Sequence, residues 1–154
     1  MEENSAAPEV LSDSDCWDCL RGVSVGRLAV ALEDGPDIFP VNYTTDHGTI
    51  VFRTGTGTKL AAVESDARVA LEADGVNQDA GVAWSVVIRG RAELVKRPDD
   101  VLESFSLPLF PWQAGKKDQF VRIVPNSVSG RRFPVVEPKE WWTPGAGTSR
   151  SAVE

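Results

Sequence analysis

Histidine and long apolar runs are nearly absent from this sequence of 154 residues, and each scarcity argues against a class of function. One histidine, no G-x-S-x-G sequence and no Cys/His pair at interpretable spacing argue against the common acid–base hydrolases. No apolar run approaches the roughly 18–20 residues that cross a bilayer, and the first residues are acidic where a secretory signal is basic and then apolar. We therefore expect a soluble protein of the cytoplasm with no membrane contact.

Acidic residues outnumber basic residues, and the first twenty positions contain no Lys or Arg. Sixteen Lys and Arg against 23 Asp and Glu give a net charge of −7, so we expect no nucleic-acid partner. A basic group late in the chain could still bind a small anion, and its members are Lys116, Lys117, Arg122, Arg131 and Arg132.

The two cysteines form the motif Cys16-Trp17-Asp18-Cys19, which invites a redox or a metal interpretation. A thioredoxin-type motif follows a strand, whereas this one lies where a helix begins, and the neighbouring aspartates would raise the pKa of a thiol. A zinc site needs about four ligands, and the only histidine, His47, lies in a predicted turn. We expect the cysteines to pack as small apolar residues and the chain to hold no metal, with a thiol redox protein as the alternative.

The composition is that of a single globular domain, with 42% hydrophobic and 25% charged residues. Residues 1–10 show no apolar periodicity and are expected to form a flexible leader. Residues 144–154 are rich in Gly, Thr, Ser and Ala and are expected to form a disordered tail. Residues 11–143 then make up one domain.

Apolar alternation predicts a mainly β fold with flanking helices. Ser12 is a suitable N-cap for a helix over residues 12–21, and further helices are predicted over 58–64 and 98–105. Strands are predicted over residues 25–32, 37–44, 49–54, 67–74, 82–95 and 119–125. Gly90 would let the long fifth strand bend. Because closure removes exposed sheet edges, we expect a six-stranded antiparallel split β-barrel of Greek-key type.

The segment from Arg53 to Lys59 has the composition of an anion-binding turn. A strand ends in Arg53 and Thr54, two glycines follow, and a helix opens with Thr58 and Lys59. Glycines let backbone N–H groups approach a phosphate, the helix N-terminus adds free donors, and the two cations neutralise charge. The spacing is not that of a Walker A motif. From these residues alone, a solvated polar turn remains the alternative.

Several segments that follow one another between about Leu11 and Phe133 resemble the flavin-binding split-barrel family of pyridoxamine 5′-phosphate oxidase-like proteins. They are GRLA at 26–29, IFPVNY at 38–43, VFRT at 51–54, GTK at 57–59 and AWSVVIRGRA at 83–92. The resemblance is to short actinobacterial-type members of unassigned activity. Residues 129–134, Trp141 and Trp142 do not reproduce the C-terminal motif that grips substrate in the vitamin B6 enzyme, which argues against vitamin B6 oxidation.

The resemblance implies where a flavin would bind. Its phosphate would lie on the residues of the anion-binding turn, namely Arg53, Thr54, Thr58 and Lys59. The ribityl chain and the ring edge would lie against the second and third strands, at Pro40, Val41, Asn42 and Phe52. A dimer partner would add contacts from the long strand, at Trp84 and Ser85, and Trp112 is a further candidate. Core packing remains an alternative for both tryptophans.

The function that the resemblance implies is that of a homodimeric, FMN-dependent oxidoreductase acting on an unidentified small molecule. The deazaflavin F420 is an alternative cofactor, because it also carries a phosphate. A non-catalytic flavin carrier or sensor is an alternative function, because the sequence offers no obvious proton donor beside the ring site. A shared fold does not decide between these functions.

Overall fold

The computed structural model describes residues 7–55, 57–95 and 119–135. The helices and strands of this part of the chain are β1 Glu9–Val10, α1 Asp13–Arg21, β2 Val25–Leu32, β3 Gly35–Asp46, β4 Thr49–Thr54, α2 Thr58–Ser65, β5 Arg68–Asn77, β6 Val82–Leu94 and β7 Gln119–Pro134. Neither α1 nor α2 is long and apolar enough to cross a bilayer. The predicted helix over 98–105 and the predicted tail over 144–154 lie outside the described residues.

Six of these strands close into an antiparallel ring, which confirms the predicted fold class. The order around the ring is β7, β4, β3, β2, β5 and β6, and β6 pairs back with β7. The other edge of β7 pairs with β4 near its start and with β1 near its end. In β1, Glu9 lies opposite Arg132 and Val10 opposite Arg131, so the sheet begins within the predicted leader.

Three strands extend beyond their predicted limits. β3 covers residues 35–46 rather than 37–44, and β5 continues to Asn77 rather than stopping at residue 74. β7 continues to Pro134 rather than stopping at Pro125. Pro125 lies opposite Gly90 at a register shift, where Asn126 is the extra residue. A proline without an N–H group is tolerated at such a bulge, so the strand runs through it.

The inward-facing side chains of the ring form one apolar core, and both helices contribute to it. Its largest fully buried members include Leu28, Ile50, Phe52, Leu71, Ile88 and Ile123. From α2 the core takes Leu60, Ala62 and Val63, and Val63 lines a cleft with Ala92 and Leu94 of β6. α1 covers a different part of the ring, where the buried Tyr43 hydroxyl donates a hydrogen bond of 2.7 Å to the Leu20 carbonyl.

Helix α1 packs on the backbone of β7 at Gly130. A methyl group at Gly130 would lie 2.7 Å from Cys16 Sγ, so the absence of a side chain there lets the helix approach. Burial, and next the charge of Asp13, raise the pKa of the Cys16 thiol, and Cys19 is a half-buried free thiol. A raised pKa and burial both disfavour a reactive thiolate, which supports packing over thiol redox chemistry.

Gly90 brings the backbones of β6 and β7 close together at the register shift. A Cβ atom at Gly90 would lie 2.2 Å from the Val124 carbonyl oxygen and 2.9 Å from Pro125 Cα. These are main-chain atoms of a paired strand and cannot rotate away as a flexible side chain could. The glycine is therefore required by the closure of the ring.

We expect Gly90→Ala to lower the free energy of unfolding by about 3 kcal/mol, because β7 must shift to admit the methyl group. Urea unfolding followed by circular dichroism measures the loss. Gly22→Ala is the matched control, since its methyl group would lie 3.3 Å from the Cys19 carbonyl oxygen and its backbone is in the ordinary helical region. Equal stability of the two variants would contradict a required close approach at Gly90.

Candidate functional site

The connection between β4 and α2 is an open turn at the surface. Gly57 is the N-cap of α2 and has a φ of 159°, a conformation that side-chain-bearing residues rarely adopt. A Cβ atom placed on it would have no neighbour within 4 Å. The first turn of α2 holds no acidic residue, so the positive end of the helix dipole is not offset by its own side chains. This end of α2 therefore suits an anion.

Two cations flank this turn, and each lies over an aromatic ring. The Arg53 guanidinium carbon is 5.3 Å from the centre of the Phe120 ring, and Lys59 Nζ is 5.8 Å from the centre of the Phe39 ring. Phe120 is buried, and Phe39 packs against the core. Cation–π contacts of this kind restrict long side chains that would otherwise move freely. The turn thus carries two positioned positive charges.

The two threonines predicted to bind phosphate differ in their surroundings. Thr54 is 4% exposed, and its hydroxyl donates to the Gly55 carbonyl oxygen at 3.2 Å. This hydrogen bond therefore stabilises the main chain of the turn. Thr58 is exposed at the first position of α2, beside Lys59. The surface of the turn consequently presents Arg53, Thr58 and Lys59.

The residues predicted to line the flavin ring lie on both faces of the sheet. Pro40 is exposed and Asn42 half-buried on the outer face of β3. Val41 and Phe52 point the other way, into the core, because side chains alternate along a strand. A ligand on the outer face could reach Val41 and Phe52 only through their main chain. The available outer wall is thus formed by the side chains of Pro40 and Asn42.

Trp84 and Ser85 lie at the start of β6 and pair with the end of β7 that is far from the anion-binding turn. Ser85 is opposite Arg131, near the end of β7, whereas Arg53 is opposite Phe120, near its start. Trp84 packs against the core, and a methyl group at Gly75 would lie 2.6 Å from its indole nitrogen. One chain therefore does not bring Trp84 and Ser85 to Arg53. Trp112, Trp141 and Trp142 are outside the described residues.

A carboxylate cluster on the outer face was not apparent from the sequence. Arg27 Nη1 lies 3.5 Å from Glu72 Oε2 and 3.3 Å from Asp74 Oδ2. Partial burial, and next a hydrogen bond with Asp74, raise the pKa of Glu72 to about 7. Arg27 is opposite Pro40 on β3 and opposite Glu72 on β5, so Glu72 shares the outer face with the predicted wall.

The late basic group is partly neutralised within the fold. Arg122 Nη1 donates to Asp46 Oδ2 at 2.9 Å, and this hydrogen bond holds the pKa of Asp46 below its usual range. Arg132 lies 3.6 Å from Glu9. Arg131 is exposed beside Arg132 on β7, and Lys116 and Lys117 are outside the described residues. Arg122 and Arg132 therefore have structural partners rather than an open anion site.

The raised pKa of Glu72 predicts how stability depends on pH. The folded chain holds a proton on Glu72 up to about pH 7, while the unfolded chain releases it near the ordinary value of 4.5. The unfolding free energy should therefore fall as pH rises from 4.5 to 7. We expect Glu72→Gln, which cannot ionise, to remove this fall and to be more stable than the parent at pH 8. Urea unfolding of both proteins at pH 4.5, 6 and 8 measures the free energies of unfolding.

The control for this experiment is Glu64→Gln, which changes an exposed glutamate on α2. Its unfolding free energy should follow the parent chain across the same pH range. Parallel pH profiles for Glu72→Gln and the parent would show that Glu72 does not titrate in this window.

Similarity to known proteins extends over most of the chain. Residues 12–132 match the family described as pyridoxamine 5′-phosphate oxidase. A Corynebacterium glutamicum protein provisionally described as such an oxidase has 37% identity and a TM-score of 0.74, covering 89% of this chain and 99% of its own. The FAD binding protein of Mycobacterium smegmatis has 36% identity and a TM-score of 0.69, covering 84% and 99%.

A relative found by sequence is also similar over most of the chain. An uncharacterised protein of Mycobacterium tuberculosis is 36% identical over 119 residues, which is 74% of this chain and 78% of that protein. The family match, these likenesses and the closed antiparallel ring together show that the chain belongs to the pyridoxamine 5′-phosphate oxidase-like family of split-barrel proteins.

Proposed function

We propose that this protein binds FMN non-covalently at the β4–α2 turn and is an oxidoreductase acting on a small molecule. The observation that carries the proposal is the arrangement of Arg53 and Lys59, each held over an aromatic ring beside the open N-terminus of α2. Two cations, backbone donors and a helix dipole together favour a phosphate group. Family membership and the FAD-binding relative from Mycobacterium smegmatis support a flavin as the molecule that carries it.

FMN suits this turn better than the other flavin-type cofactors. It ends in a phosphate monoester with close to two negative charges, which two cations and a helix N-terminus can bind together. F420 and FAD carry their phosphates as diesters within longer chains, so each phosphate has less charge. We therefore propose FMN, with F420 as the alternative, and we include FAD in the test because of the Mycobacterium smegmatis relative.

A second copy of the chain is part of the proposal. Trp84 and Ser85 can contribute to a ring site near Arg53 only from another chain, because these β6 residues pair with the end of β7 opposite to the end that pairs with Arg53. Trp84 would act through the exposed part of its indole and Ser85 through its outward hydroxyl. A homodimer would then close each ring site with residues of both copies.

The bound flavin would supply the electron transfer, and the chain would position it and manage protons. Pro40 and Asn42 would offer an apolar surface and an amide to one side of the ring system. Glu72 lies on the same outer face, and a pKa of about 7 suits a group that takes up and releases protons at neutral pH. In this proposal Glu72 exchanges the proton that accompanies substrate reduction or oxidation.

A non-catalytic flavin carrier is the second candidate. The observation in its favour is that the outer wall itself, Pro40 and Asn42, has no titratable side chain. Reduction of an added electron acceptor with NAD(P)H, at a rate above that of free FMN, would exclude the carrier.

The first measurement is the visible absorption spectrum of the purified protein, followed by denaturation and mass analysis of any released compound. We expect flavin absorption bands and release of FMN. Released F420 or FAD would replace FMN as the cofactor. A colourless protein that also fails to bind added FMN, F420 and FAD would contradict flavin binding altogether.

A double variant tests the position of the phosphate. We expect Arg53→Ala with Lys59→Ala to weaken FMN binding by at least about 100-fold, because two charge-assisted contacts are removed. Quenching of flavin fluorescence during titration measures the affinity.

Two controls accompany this variant. Arg21→Ala removes an exposed arginine of α1 and should leave FMN binding unchanged. Riboflavin, which has no phosphate, should bind the parent and the double variant equally. Unchanged FMN affinity in the double variant would place the phosphate elsewhere.

A further inference from the structure

A shallow groove crosses the outer face of β2, β5 and β6, apart from the β4–α2 turn. Its volume is about 420 Å³, and it is lined mainly by apolar atoms. The floor consists of small residues on neighbouring strands, namely Ala29, Ala31, Ala70 and Gly90. The rim is formed by larger residues, namely Pro36, Arg68, Arg89 and Asn126.

Strand register explains why the groove exists. Ala29 is opposite Ala70, and Ala70 is opposite Arg89, so two alanines lie side by side between larger neighbours. Ile38 is opposite Ala29 on the other side and is 64% exposed, which extends the apolar surface toward β3. The bulge that inserts Asn126 into β7 forms the wall of the groove on that side. Together these residues form an apolar depression on the outer surface.

The charges around the groove are mostly positive, although the whole chain carries −7. Arg68 donates to both carboxylate oxygens of Asp66, at 3.1 and 2.8 Å. Arg91 is opposite Arg68 on β6. Within residues 7–55, 57–95 and 119–135, the Arg89 side chain has no hydrogen bond or ion pair. At the next outward-facing position of β5, Glu72 forms an ion pair with Arg27.

The same charges argue against a second copy as the occupant of the groove. In a two-fold contact centred here, each Arg89 would face the other copy's arginine-rich rim, and like charges repel. An apolar floor beside an arginine instead suits a molecule with an apolar body and one anionic group. The volume is within the range of pockets for small molecules.

We infer that this groove binds a small organic anion with an apolar body, whose charged group lies on Arg89. The inference is independent of the proposed flavin site, since the groove shares none of its residues. Arg91 adds positive potential, whereas the charge of Arg68 is offset by Asp66, and the alanine floor receives the apolar part of the ligand. The chemical class is that of aromatic or short-chain carboxylates and sulfonates.

Titration of the full-length protein with 8-anilino-1-naphthalenesulfonate tests the inference, because this probe has an aromatic body, one sulfonate and fluorescence that increases in an apolar site. We expect saturable binding. Arg89→Gln should raise the dissociation constant by about fivefold, as expected for one exposed ion pair. Ala70→Leu, which fills the floor, should raise it by at least about tenfold.

Matched controls separate the groove from general adhesion of the probe. Arg21→Gln removes an exposed arginine elsewhere, and Ala61→Leu enlarges an exposed alanine of α2, so neither should change the dissociation constant. Equal effects of Arg89→Gln and Arg21→Gln would overturn the inference, as would unchanged binding to Ala70→Leu. Displacement of the probe by FMN would also overturn it, since the probe would then occupy the flavin site. Failure of FMN binding alone would leave the groove unaffected.

Discussion

Closure of the sheet between β6 and β7 is the constraint on which every site in this protein depends. Once the ring is closed, each side chain of a strand has two destinations, the core or the outer face. The register that sends Tyr43 and Phe52 inward also sends Arg27 and Glu72 outward. A slip of one residue would exchange the two faces, so a register that fills the core also fixes which charged groups meet outside.

Much of the fold could be predicted because its signals are local. Alternation of apolar residues marked the strands, and Ser12 marked the start of α1, where its side chain accepts from the Asp15 amide at 3.1 Å. The predicted end of β7, at Pro125, was wrong for a physical reason. Pro125 reads as a strand terminus, but it lies at a bulge whose existence depends on Gly90 of another strand. No local pattern contains that information.

In the candidate site, too, groups of residues that are neighbours in sequence could be predicted, and groups that depend on strand pairing could not. The glycines and cations from Arg53 to Lys59 are neighbours in sequence, so their grouping could be predicted, although their aromatic supports Phe39 and Phe120 could not. The pairing of Arg27 with Glu72 joins residues 45 positions apart and requires the register between β2 and β5. The groove beside Arg89 likewise arises from alanines on separate strands, which carry no signal individually.

The contact between Cys16 and Gly130 couples the side-chain volumes of two positions that are distant in sequence. Two hydrogen bonds oppose any movement of α1 away from β7: the Tyr43 hydroxyl donates to the Leu20 carbonyl, and the Leu11 amide donates to the Gly130 carbonyl at 3.0 Å. A relative with alanine at position 130 would need a smaller residue at position 16, or its helix would lift and admit water to that part of the core. The cysteine is thus constrained by volume rather than by reactivity, and the two positions should change together as the family diverges.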